Sequence, residues 1–323
     1  MPHTSGTATN YIDLLDRLRQ YVVANGWTQL SWAAGTVSAG GSLLQIEGPG
    51  SGAGRRVYLN FRTTANPGSS LYTWNVRGAT GYTPNALAGA NPGEQQTPVY
   101  LNLWENAISY WFYVNNRRII VVAKCSTAYM SFYGGFFLPF ATPTQYPFPL
   151  VVAGDYGSSV TWSHTNSGRR MMVDPGGSMS APAAWCRSPS GQWVSTYNQD
   201  LGAGNDEASD QQPGAVVRMW PYHVGEAQSS AMAYDDWTGS VQAHSGGSAL
   251  DSFVATRQGE RWMWPVTLIP NNEPIYGVLD EVWCVPGAGL ATEQVLTVGS
   301  NTYRVFQNIQ RSSGNDFFAV RQV

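Results

Sequence analysis

"ISYWFYVNNRRIIVVAKC", residues 108–125, is the stretch on which the fold turns. Two runs dense in aromatic and β-branched residues flank the polar pair Asn115-Asn116, the pattern of two strands joined by a tight turn. From Ile119 to Ala123 the second run is continuously apolar, with no polar alternation. A short run of that kind, bounded by turn residues, fits a strand buried on both faces. The hairpin is therefore expected at the centre of a sheet and not at its edge.

The same pattern recurs outward in both directions. Upstream lie "WTQLSWAA" (27–34), "SLLQIEG" (42–48), "RRVYLNFR" (55–62), "SLYTWNV" (70–76) and "PVYLNLW" (98–104), separated by Gly, Pro, Ser and Asn clusters. Downstream come "AAWCR", "QWVSTY", "AVVRMW", "RWMWPVTLI" and "YGVLDEVWCV", then a hairpin around Gly299-Ser300-Asn301 and a last run, "DFFAVRQV". One segment breaks the β pattern. In "NYIDLLDRLRQYVVANG" (10–26), Tyr11, Leu14, Leu15, Leu18 and Val22 form a single helical stripe, with Thr9 or Asn10 as N-cap and Gly26 as the stop. The expected class is mainly β (α+β): an N-terminal amphipathic helix packed on an antiparallel sheet, followed by further β-sandwich-like sheet. A boundary near 153 divides the chain into a helix-plus-sheet domain, 1–153, and a β-rich domain, 154–323; one large sandwich-like unit is the other arrangement.

Composition narrows the function. Only 12% of the 323 residues are charged, against about a quarter in ordinary globular proteins, and Lys124 is the single lysine. The net charge of −3 and the scattered pairs Arg55-Arg56, Arg117-Arg118 and Arg169-Arg170 offer no electrostatic footprint for nucleic acid. There is no run of eighteen apolar residues, and "MPHTSGTATN" lacks the features of a leader, so no membrane insertion and no secretory signal are expected. Surfaces poor in Lys and Glu but rich in Ser, Thr, Asn, Gln, Tyr and Trp resemble subunit-facing or glycan-facing surfaces more than solvent-facing ones.

No constellation argues for catalysis, a metal or a cofactor. Cys125, Cys186 and Cys284 have no metal or paired spacing and read as reduced, mostly buried thiols. His164, His223 and His244 form no ligand motif, and Asp200, Asp206, Glu207 and Asp210 lack the periodicity of a calcium loop. Acids beside tryptophan occur at Asp235-Asp236-Trp237, Glu260 and Asp280-Glu281-Trp283, but none singles out a glycosidase pair. Ser248 sits in a small-residue turn outside any nucleophile motif, and His244 nearby does not make a triad. The long connections 77–98 and 198–215 are of the length that is functional, partner-bound or mobile.

"FATPTQYPFPL" (140–150) is a different kind of segment. Pro143, Pro147 and Pro149 lack ladder donors and steer their predecessors away from helix, so the segment is expected to run extended and unpaired. Phe140, Tyr146 and Phe148 then pack as a strap across a sheet face or a neighbouring subunit. A plain inter-domain tether is the competing reading, but tethers are Ser-, Gly- or charge-rich.

Three blocks carry a family resemblance: "YIDLLDRLRQYVVANGWTQLSW", the central "YWFYVNNRRIIVVAKCSTAYMSFYGGFFLPFATPTQYPFPLVVAG", and "IPNNEPIYGVLDEVWCVPGAGLATEQVLTVGSNTYRVFQNIQR" with "DFFAVRQV". Together they resemble tailed-bacteriophage and prophage virion structural proteins. The resemblance implies a non-enzymatic virion component of the tail or baseplate, assembled in host cytoplasm, with other virion proteins as partners and a homo-oligomeric state, trimer or hexamer. It brings no catalytic motif. Residues 155–260 lie outside it. The alternative is a receptor- or carbohydrate-binding module that meets a host surface glycan through exposed Trp and Tyr, and a cell-wall-degrading enzyme is the third reading.

Overall fold

The computed structural model describes residues 2–35, 41–52, 54–84, 89–155, 157, 161–163, 184–195, 217–220, 256–257, 260–261, 263–270, 274–285, 289–307 and 317–322. Its centre is the hairpin of 108–125. Strands β7 (Ile108–Val114) and β8 (Arg118–Cys125) pair antiparallel, from Val114↔Ile119 to Ser109↔Lys124. Asn115 closes the turn, its Oδ1 accepting from the backbone N–H groups of Arg117 at 2.8 Å and Arg118 at 3.0 Å. This is the local bonding that suits asparagine to turns.

Around the hairpin a seven-stranded sheet assembles in the order β1-β7-β8-β9-β11-β12-β13, with β1 (His3–Ala8), β9 (Ala128–Phe136), β11 (Leu150–Ala153), β12 (Ala184–Arg187) and β13 (Trp193–Ser195). Side chains alternate faces along each strand. Phe112, Ile119, Val121 and Ala123 enter one core, whereas Trp111, Tyr113, Ile120 and Val122 enter another. At its centre the sheet is thus covered on both faces, which is why β8 runs apolar without a break from Ile119 to Ala123.

A second sheet covers the first face. Its strands β2 (Thr28–Ala33), β3 (Leu43–Gly52), β4 (Arg55–Asn66), β5 (Leu71–Ala79) and β6 (Val99–Leu103) follow in chain order as an antiparallel meander. Phe61 of β4 meets Phe132 of β9 edge-on at 5.6 Å across the interlayer. Helix α1 (Tyr11–Ala24) fills one side of the same core, burying Tyr11, Leu14, Leu15, Leu18 and Val22. Asn10 caps it by accepting from Ile12 and Asp13, and the Trp74 indole N–H donates to the Tyr11 carbonyl at 2.8 Å.

A third sheet covers the opposite face. Its path is β14-β17-β18-β21-β20-β19, made of β14 (Val217–Trp220), β17 (Trp264–Pro270), β18 (Gly277–Val285), β19 (Val295–Val298), β20 (Asn301–Gln307) and β21 (Phe317–Arg321), with β10 (Leu138–Pro139) added to β18. The β19–β20 turn has Gly299 first, at φ 59°. Phe306 presses onto Trp111, Tyr113 and Tyr129 of the central sheet, 5.1 to 6.5 Å between ring centres. A short hairpin, β15 (Thr256–Arg257) with β16 (Glu260–Arg261), stands apart from the three sheets.

The layers exchange strands across residue 153. β12 and β13 lie beside β11 in the central sheet, and β10 joins the third sheet. The connection 77–98 is tied down where it is described. Buried Glu94 accepts from Asn91 through the backbone at 2.9 Å and the side chain at 2.8 Å, and from Asn60 at 3.0 Å. Among the described residues no helix is long and apolar enough to cross a membrane.

Candidate functional site: a proline strap and an inter-sheet joint

The strap residues fall into an exposed arm and a buried anchor. Phe140 follows β10 and is 67% exposed, its backbone N–H bonded to the Tyr276 carbonyl at 2.9 Å. Pro143 is exposed in a turn in which Gln145 and Tyr146 both donate backbone N–H groups to the Thr142 carbonyl. The Gln145 side chain closes that turn by accepting from the Thr142 hydroxyl at 2.8 Å. The first half of the segment therefore winds back on itself, where a fully extended course was expected; side-chain capping by Gln145 outweighs the extended bias before Pro143.

From Tyr146 onward the chain packs. Tyr146 is 2% exposed, edge-on to Phe137 at 5.3 Å and to Tyr276 at 5.5 Å, and its hydroxyl donates to the Arg187 carbonyl. Pro147 and Phe148 are half-buried; Phe148 meets Phe136 at 6.4 Å and lies under the Arg187 guanidinium at 5.4 Å. Pro149 is buried, and its carbonyl accepts from Phe137 at 2.9 Å before β11 begins. Tyr146 belongs to the core between the central and third sheets and Phe148 packs on the other core, so the strap clasps the central sheet from both faces.

A second polar constellation lies where the β7–β8 turn meets β18. Asp280, 1% exposed, accepts at Oδ2 from Asn115 Nδ2 at 2.8 Å and Arg117 at 3.2 Å, and Arg118 Nε lies 3.5 Å away, an ion-pair distance at the outer limit of a hydrogen bond. Arg118 is fully buried and also donates to the Tyr113 carbonyl at 3.3 Å. Burial pulls its guanidinium down from its ordinary value, and Asp280 opposes that pull. The Tyr133 hydroxyl accepts from the Asp280 backbone N–H at 3.3 Å and donates to the Phe136 carbonyl at 2.7 Å.

Gly135 makes the approach to this joint possible. At φ 137°, a Cβ there would stand 2.3 Å from the Arg117 carbonyl oxygen and 2.5 Å from the Arg118 Cα. The neighbouring Glu281, at φ 63°, pairs with Arg321 at 3.2 Å. Of the acids noted beside tryptophan, Asp280 and Glu281 are thus engaged by arginines. The joint links residues more than 160 positions apart and carries no sequence motif; its one local trace is Arg118 at the head of an apolar strand.

Burial also sets the alkaline limit of the fold. The phenols of Tyr113, Tyr133 and Tyr146 are pushed up from their ordinary value, first of all by loss of water. Because the folded value is raised, their contribution is intact below about pH 10, the unfolded value, and is lost above it as the unfolded chain ionises. Tyrosinate absorbance of these residues and far-UV circular dichroism should therefore change together in an alkaline titration. Full tyrosinate formation near pH ~10 with the strand signal intact would contradict this.

The remaining candidates separate cleanly. Cys125, Cys186 and Cys284 are buried and form no disulfide, and burial pushes the Cys186 thiol up to about 12, which leaves it unreactive. Lys124 bonds Glu293 at 2.8 Å, and the Tyr129 hydroxyl reaches the same carboxylate oxygen at 2.5 Å. His164, His223, His244, Asp200, Asp206, Glu207, Asp210, Asp235, Asp236, Trp237 and Ser248 lie outside the described residues, as does the side chain of Glu260. Among the described residues no group of three or more His, Cys, Asp or Glu is placed to hold a metal ion.

No protein-family model matches the chain, and no curated protein matches it significantly.

Proposed function

We propose that this chain is a non-enzymatic structural subunit of a tailed-bacteriophage virion, of the tail or baseplate, acting through self-assembly and contacts with neighbouring virion proteins. The observation that carries this reading is the state of the sheet edges. β1 (HTSGTA) and β19 (VLTV) are end strands of their sheets among the described strands, largely exposed, with no Lys, Arg, Asp, Glu or Pro between them. Exposed edges of soluble monomers are usually blunted by such residues or by bulges, because unpaired backbone groups template pairing with another chain. β2, by contrast, carries a register shift at Gln29/Ser31 and has Arg19 5.0 Å over Trp32.

The register of β1 gives the backbone groups that such a contact would use. Val114 N–H bonds the Pro2 carbonyl at 3.1 Å, so the hydrogen-bonded pairs recur at Thr4, Gly6 and Ala8, and Ser5 and Thr7 turn their backbone groups outward. The exposed Phe140 and the phage-like blocks of sequence support the same reading. It places the chain in the virion, assembled in host cytoplasm.

Ser5→Pro tests it. The substitution deletes one outward N–H and leaves the β1–β7 bonds in place, which proline tolerates at an edge. Mass photometry should show a trimer or hexamer for the natural chain and a smaller species for Ser5→Pro, with little change in Tm. A monodisperse natural monomer that is also absent from purified particles would sink the reading.

A further inference from the structure

The outer edge of β1 is short and bounded. Ser5, Gly6 and Thr7 are exposed, and the backbone groups of Ser5 and Thr7 point away from β7. Toward the helix the edge stops at Thr9, whose backbone N–H is already donated to Asp13 Oδ2 at 2.7 Å. That carboxylate is paired in turn with Arg17 at 2.9 Å. Gly6 lies between the two outward-facing residues. A Cβ on it would stand 2.7 Å from the Tyr110 hydroxyl, so glycine suits the position and leaves no side chain in the middle of the edge.

We propose that the β1 edge pairs antiparallel with β1 of a second copy, about a twofold axis at Gly6. The inference rests on the self-assembling subunit proposed above and names its partner strand and register. In an antiparallel ladder, residues whose groups point outward meet in pairs that exchange both N–H···O bonds. A twofold at Gly6 sets Ser5 against Thr7 of the second copy and Thr7 against its Ser5, so both outward residues are used in full. Centring on Thr7 would instead oppose Ser5 to Thr9, whose N–H is taken. The Gly6–Gly6 pair is then of the non-hydrogen-bonded kind, in which strands come closest, about 4.5 Å between Cα atoms.

The side chains so opposed suit one another. Ser5 faces Thr7 and Thr4 faces Ala8, all small and uncharged, so no like charges or bulky groups meet across the axis. The other bare edge, β19, fits β1 less well. Its Val295 is 46% exposed, and β1 has no exposed apolar side chain to cover it. A twofold contact joins copies in pairs, the commonest symmetry of homo-oligomers. Of the trimer and the hexamer it fits the hexamer, as three pairs held by a further contact. The further contact is needed because the β1 edge is far smaller than the roughly 20–30 residues a side of a stable interface.

Ser5→Cys and Thr7→Cys chains test the pairing, co-expressed with different tags, oxidised mildly and run on non-reducing gels. The natural cysteines are buried and free, and both substitutions fall on exposed side chains, so Tm should stay that of the natural chain. In the Gly6 register, Ser5 and Thr7 of the second copy have Cα atoms about 5.5 Å apart, within reach of a disulfide. Two Ser5 or two Thr7 residues lie diagonally, about 7–8 Å apart, beyond that reach. The mixture should therefore lose much of its monomer band to a disulfide-linked pair of the two tagged chains, and either variant alone little of it. An oligomer whose mixture does not crosslink, or in which one variant alone crosslinks as well as the mixture, would overturn the twofold pairing and leave assembly standing. A natural chain that stays monomeric removes both.

Discussion

Asp280→Ala should cost about 3–5 kcal/mol of stability, the range found when one partner of a buried ion pair is removed. Its carboxylate is 1% exposed and is the acidic partner of the fully buried Arg118, with Arg117 and Asn115 bonded to the same oxygen. Alanine would leave the guanidinium charged in the interior, since arginine does not shed its proton there. A domain has only about 5–15 kcal/mol in total, so the loss should show as a large fall in the urea midpoint, or as failure to fold. The double replacement Arg118→Met with Asp280→Leu separates charge from packing. Removing both charges should recover much of the loss, because a buried pair contributes little beyond the cost of dehydrating it. A single variant within about 1 kcal/mol of the natural chain would show that water reaches the joint.

Tyr146→Ala should be nearly as damaging, at about 3–5 kcal/mol, the range for large aromatic truncations in a core. It removes two edge-on ring contacts and the hydroxyl that satisfies the Arg187 carbonyl, which binds the strap to β12. Phe140→Ser, six residues earlier and on an exposed ring, should change stability by no more than about 0.5 kcal/mol. The pair divides the strap by role. Loss of Tm with Tyr146→Ala and loss of oligomer with Phe140→Ser would assign packing to one end and assembly to the other. Equal and negligible effects on Tm from both would reduce the segment to a tether.

Much of the secondary structure was legible in advance because its signals are local. The stripe Tyr11, Leu14, Leu15, Leu18 and Val22 reflects the pitch of one helix, and the unbroken run Ile119–Ala123 reflects burial on both faces of one strand. β1 was not legible. "HTSGTA" has no apolar alternation, since five of its six side chains are not buried and the strand is held by backbone bonds to β7. Gly6 could be understood only afterwards: a Cβ there would stand 2.7 Å from the Tyr110 hydroxyl.

The candidate site was legible in part. Three prolines among aromatics mark an irregular, packed segment, but nothing in 140–150 says that Tyr146 turns to one core and Phe148 to the other. The Arg118–Asp280 joint was invisible, because it pairs residues brought together by sheet packing and not by spacing. By itself the sequence determined a β-rich chain with one amphipathic helix and a doubly buried central hairpin, since backbone preference and side-chain period depend on near neighbours. Only the tertiary structure decided which sheet each strand joins, that β10 and β12 cross between the expected halves, and which charges meet inside. Those choices minimise exposed apolar surface and unpaired buried charge over the whole chain at once, a balance no short stretch of residues records.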